Sequence, residues 1–273
     1  MNVLSRFLVT LMLAIALPVQ AGSECSERQL TPEDSRKATE IALRLREALE
    51  GTGAAVALVA RIGSDVSEQG LRYTHMGAVL RDHPKGRWTF VHALNECSSA
   101  RHGVYDEGLI NFFLDDPFRY EALVIVPTEP LQARLAEILR GAEAKIGLAP
   151  AYSTLAYPRA ARYGNSNTWL LAMLAVADAE QGAIPDLAAA QRHAALTGYT
   201  GDRVRVSFWK RAGARLFRAN VRFDDHPRAR ASQGDLETVT VRSLVRYLRG
   251  RGALLAETVV AIDTRPWTNR AYY

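Results

Sequence analysis

The chain is poor in cysteine, with only Cys25 and Cys97 among 273 residues. That count excludes a multi-bridge disulfide scaffold and a four-cysteine metal site, and leaves room for a single bridge. Apolar runs are also short. None approaches the roughly 20 residues that a membrane-spanning helix needs, so no transmembrane segment is expected. Low-complexity linkers and internal repeats are absent as well. For the roughly 250 residues after position 21, in a sequence that is 48% hydrophobic, this predicts one large domain with an extension from about residue 198.

The first 21 residues read as an export signal. Arg6 is their only charge, 7–17 is apolar, Pro18 breaks the run, and Val19-Gln20-Ala21 supplies small residues at a cleavage site. The mature chain is expected to begin near Gly22 and to be periplasmic or secreted. Glu24 before Cys25 argues against lipid attachment. An oxidising compartment permits a Cys25–Cys97 disulfide, which would staple the N-terminal arm to the end of a strand. The rival reading, a reactive Cys97, suffers from easy oxidation there.

Net charge is +5, or +4 once Arg6 is removed (5 − 1). The arginines cluster at Arg203 and Arg205, at Arg228 and Arg230, and from Arg242 to Arg251. Acidic residues are interspersed and aromatic residues are not, so these clusters read as solvated faces and no nucleic-acid partner is expected.

Hydrophobic periodicity gives a coarse α+β pattern. Thr31 caps a helix that starts at Pro32, runs through 35–50 and stops at Gly51. A β run follows at 54–61, another at 121–127, and an amphipathic helix at 131–146. Further on, 186–196 and 240–249 suit helices, while 204–209, 219–223 and 257–263 have strand character. Asp224-Asp225-His226 reads as a loop.

Two histidines stand out. His75 and His92 lie on β runs at 72–80 and 87–94, separated by Asp82, Pro84 and Gly86, which form turns readily. A loop over 82–85 pairs Arg81 with Gly86 and sets His75 directly opposite His92, on the same face and roughly 5 Å apart at Cβ. Such imidazoles can share a proton, orient one another or hold an ion; the competing reading is a pair of half-buried histidines satisfied by backbone. Because four of the six histidines fall between 75 and 102, a metal site of His75, His92 and His102 with Glu96 or Asp106 is a further alternative, although the spacing matches no zinc pattern.

A second segment bears on the pair. Asn165-Ser166-Asn167-Thr168 leads into the apolar run Trp169 to Ala177, so Asn165 or Ser166 caps a buried helix whose N–H groups and dipole favour an anion or a nucleophile. A strand opening on Tyr73-Thr74-His75, a second strand with a polar partner and an Asn-rich turn entering an apolar helix resemble the circularly permuted papain-like, NlpC-type hydrolases. More closely, the run from Arg72 through Phe113 to Trp169 resembles an exported bacterial family, domain-of-unknown-function family 2145.

The resemblance implies a permuted papain-like core with a mixed or antiparallel sheet and no cofactor. It implies that His75 is a general base and His92 its orienting partner. The nucleophile position falls at Ser166 or Asn167, where the wider superfamily has Cys. Asn has no nucleophilic group for this chemistry, whereas Ser has one if a base is in reach. Two functions follow: a degenerate, Cys-less protein that binds a cell-envelope peptide or lipid, or a weak Ser-His hydrolase of amides or esters. Because the cysteine is missing, the binder is the leading reading, and a Ser166 that merely caps the helix would agree with it.

Overall fold

The computed structural model describes residues 30–263, apart from 97–98, 116, 209–210 and 212–219. The expected signal peptide, both cysteines and their expected bridge lie outside these residues, as do Trp209 and Ala219 of the expected strands at 204–209 and 219–223. Six strands form one antiparallel sheet in the order β10-β5-β1-β2-β3-β4. In chain order these are β1 (Val56–Ile62), β2 (His75–His83), β3 (Gly86–Asn95), β4 (His102–Glu107), β5 (Arg119–Pro127) and β10 (Leu254–Ala261). With helices on both faces, the fold is α+β.

Helix α1 (Pro32–Thr52) starts as its sequence dictates, with Thr31 and Asp34 closing a capping box and Pro32 in the first turn. It runs past Gly51 and ends at Gly53, whose φ of 67° suits a residue without Cβ. Ile41, Leu45 and Leu49 pack with Phe112 and Phe113 of α2 (Leu109–Leu114) against Val59, Val79, Phe90 and Val124. The opposite face is covered by α3 (Glu129–Arg140), α4 (Ser166–Asp178), α5 (Leu187–Leu196) and α7 (Val241–Gly250), which bury Leu58, Met76, Ala78, Val91 and Ile125. Coverage on both sides explains why β1 is buried at all seven positions rather than alternating.

The helix expected over 131–146 divides at Gly141: α3 ends at Arg140 and a short 3-10 turn covers Ala142–Lys145. Helix α4 is apolar around its whole circumference and correspondingly buried from Ser166 to Ala177. Two small sheets flank its N-terminus: parallel β6 (Ala151–Tyr152) with β7 (Tyr163–Gly164), and antiparallel β8 (Asp202–Arg205) with β9 (Asp235–Thr238). Residues 220–223 form no strand, and α6 (Arg228–Gln233) follows a turn that contains His226. Much of the arginine excess is ion-paired, as in Arg242 and Arg246 with Asp202 and Arg230 with Glu237. The C-terminal segment returns to the sheet, because β10 pairs with β5 from Pro127 to Glu121. No helix among the described residues is long and apolar enough to cross a membrane.

The hairpin register differs from the expected one. The connection is the two-residue turn Pro84-Lys85, with His83 pairing Gly86 and Ala78 pairing Val91. Moving the centre of the turn by one residue moves the pairing by two. His75 is therefore diagonal to His92 rather than opposite it, but a shift of two keeps both on one face. Gly77 now lies beside His92: a Cβ there would sit 2.8 Å from that of His92 and 2.5 Å from Cε1 of Phe90. The close approach of the two strands requires glycine.

Candidate functional site

His75 begins β2 and His92 lies inside β3, and their rings share a pocket with Phe90 and Phe112. Nε2 of His75 is 2.8 Å from Nδ1 of His92. On the other side of the ring, Nδ1 of His75 is 2.9 Å from Oγ of Ser166, the first residue of α4. Nε2 of His92 lies 3.3 Å from Oε2 of Glu107, close enough for an ion pair although off the line of a well-formed hydrogen bond. Serine, two imidazoles and a carboxylate thus form one chain.

The partners assign the protons. Ionised Glu107 can only accept, so His92 carries its proton on Nε2 and presents a bare Nδ1. His75 then donates from Nε2 to that nitrogen, which leaves its Nδ1 lone pair as acceptor for the Ser166 hydroxyl. This is the arrangement of a base poised on a nucleophile. Burial, then the neighbouring His92 ring and the Arg61 guanidinium, hold the His75 pKa well below the ordinary histidine value. Burial also lowers His92, with Glu107 pulling in the opposite direction. Arg61 faces His75 across the β1–β2 ladder and is fixed by Asp115 and by the carbonyl of Phe112, 2.8 Å away.

Helix capping does not employ Ser166. Asn165 is the cap: its Oδ1 accepts from the amide of Thr168 at 2.7 Å, and Thr168 returns the bond through its hydroxyl. Asn167 has a different task from the one its position suggested. Its Oδ1 accepts from the amide of Met76 at 3.1 Å and its Nδ2 donates to the carbonyl of Thr74 at 3.1 Å, clasping α4 to the start of β2. The side chain is a staple and offers no attacking group. The first-turn amides of Ser166 and Asn167 have no intrahelical acceptor and form no hydrogen bond among the described residues.

Ser166 opens onto a cavity of about 300 Å³, bounded by the loop before β2, by Tyr152, and by residues of β8 and β9. Tyr152 is buried, which pushes its hydroxyl pKa up, with Thr154 and Ser166 partly offsetting the effect. It therefore stays protonated and able to donate.

His102 stands apart. Its Nε2 binds the carbonyl of Ala149 at 2.8 Å, and its ring meets Tyr152 rather than the other two imidazoles. No group of three or more His, Cys, Asp or Glu is placed to hold a metal among the described residues. The sequence reading missed Glu107, Arg61 and Tyr152. Alternation along β4 puts Glu107 on the histidine face, opposite Phe90.

Over residues 48–248 the sequence matches the family described as "Uncharacterized protein conserved in bacteria (DUF2145)". No curated protein and no solved structure matches it.

Proposed function

The chain belongs to this bacterial family, for which the description names no activity, and we propose that it is a serine hydrolase of carboxylic esters or amides with Ser166 as nucleophile. The observation that carries the reading is the 2.9 Å contact between the Ser166 hydroxyl and an imidazole whose other nitrogen is already committed to His92. That Asn165 caps the helix supports it further, since the bland account of Ser166 assigned it that role. The finer reading is a permuted papain-like, NlpC-type core with serine in the cysteine's place. In an exported protein it would act on cell-envelope peptides or lipids.

In the first step, Oγ of Ser166 bonds to the substrate carbonyl carbon while its proton passes to Nδ1 of His75. Negative charge gathers on the carbonyl oxygen, where the free amides of Ser166 and Asn167 and the Tyr152 hydroxyl are the available donors. Collapse breaks the bond to the leaving alcohol or amine, which takes the proton from His75 and leaves an acyl-serine. Water then attacks the acyl carbon, gives a proton to His75, and the acid departs as Ser166 regains its hydrogen. His92 and Glu107 hold the His75 ring in the right tautomer throughout.

Labelling by a fluorophosphonate probe tests this. The unchanged chain should be labelled at Ser166, and Ser166→Ala should lose both labelling and at least about 10³-fold in hydrolysis of a labelled ester. Ser166→Cys should gain a thiol that iodoacetamide modifies rapidly, and His75→Gln should slow that reaction. A chain that binds ligand but is not labelled would be a binder without turnover, and the hydrolase reading would fail.

A further inference from the structure

Building on the hydrolase reading, we propose that the cavity beside Ser166 seats an uncharged, apolar acyl chain of medium length, making neutral acyl esters or amides the preferred substrates over charged peptides. Among the described residues that line the cavity, none is Asp, Glu, Lys, Arg or His. Its apolar lining includes Val66, Leu71, Val204, Val206 and Val221. These belong to a small apolar cluster around Leu71, Phe223 and Leu236 that is separate from the two cores on the sheet. Four of its part-buried members, Val66, Leu155, Val206 and Val221, line the cavity, so apolar surface is held open to it.

The polar lining includes Ser166, Tyr152 and Thr154, and a carbonyl attacked by Ser166 would sit beside them. A carboxylate or ammonium deeper in the cavity would lose its water and find no counter-ion among the described lining residues. Asp202, which lies behind the lining residue Thr240, is already engaged by Thr240, Arg242 and Arg246. Size adds a limit: about 300 Å³ is twice the roughly 150 Å³ that accommodates a six-carbon ring, which leaves room for about a dozen carbon atoms.

The test uses p-nitrophenyl esters of graded length with the full chain. Each buried methylene is worth about fourfold. From acetyl to octanoyl, kcat/KM should rise at least about 30-fold, then fall for palmitoyl, which exceeds the cavity. The succinyl ester, with its terminal carboxylate, should be at least about 30-fold poorer than the butyryl ester of similar length. Val206→Phe and Val66→Phe, which narrow the cavity by apolar means, should each move the preferred length to shorter acyl groups.

If hydrolysis depends on Ser166 but is indifferent to length and charge, the acyl-chain proposal is overturned while the hydrolase reading stands. If nothing is hydrolysed and no probe labels Ser166, the hydrolase reading fails, and calorimetric titration with octanamide decides the remaining question. Saturable binding that weakens in Val206→Phe would uphold the cavity as an apolar-chain site, and no binding would overturn it.

Discussion

His75 and His92 both bind protons less readily in the folded chain than in the unfolded one, chiefly because they are buried. A histidine with a lowered folded pKa contributes stability that is complete above its unfolded value of about 6.5 and is lost as pH falls toward the folded value. Thermal melts between pH 4 and 8 should therefore show Tm rising to about pH 6.5 and then levelling, with a shallower rise in His75→Gln. For the same reason the base stays unprotonated in mild acid. The acidic limb of kcat/KM should lie below about pH 6.5, and a limb centred above that value would mean that another group titrates. At this scale the sequence disclosed the residues whose chemistry is rare, two histidines and a serine at a helix mouth. It hid Glu107, Arg61 and Tyr152 because carboxylates, arginines and tyrosines are common in any chain, and only the sheet brings these three to the site.

Helix α4 and the β2–β3 hairpin do the positioning. Replacing Asn167 with Ala removes the acceptor of the buried Met76 amide and the donor to the part-buried Thr74 carbonyl. The expected cost is about 2–4 kcal/mol in chemical denaturation, with a loss of activity as Ser166 drifts from His75. Gly77→Ala is a sharper test of the hairpin. Its Cβ would fall 2.8 Å from the Val91 carbonyl oxygen as well as against Phe90 and His92, and backbone cannot step aside as a flexible side chain can. We expect destabilisation of about 1–3 kcal/mol or more, with displacement of the His92 ring visible in its NMR signals. The face of the hairpin was legible from alternation, since period two survives a register error of two. The pairing was not, because Asp82, Pro84 and Gly86 offer turns with different centres and only the tight one was realised. The helix cap at Thr31 was legible for a local reason, since it is satisfied within three residues; the next was narrowed to Asn165 or Ser166, and Thr240, read as the first helical residue, is itself a cap.

On the scale of the whole molecule, the sheet carries His75 on one face and receives Ser166 from the helical layer on the other. The α+β class follows from the strand and helix patterns, but the strand order does not, because β10 joins the sheet across more than a hundred residues from its partner β5. A chain ended after Ala253 loses that strand and exposes the edge of β5. It should be recovered as aggregate or as associated species in size-exclusion chromatography, and a monodisperse, fully active truncation would show that β10 is dispensable. The two clasps between β2 and α4, His75 with Ser166 and Met76 with Asn167, each join residues 91 apart in the chain. Closing a loop of that length costs about 4 kcal/mol of chain entropy before either bond is formed. Such contacts ripen late in folding, after the hairpin and the local helices. A chain still being made therefore carries Ser166 with no imidazole beside it, and the two meet only when the last layer has docked.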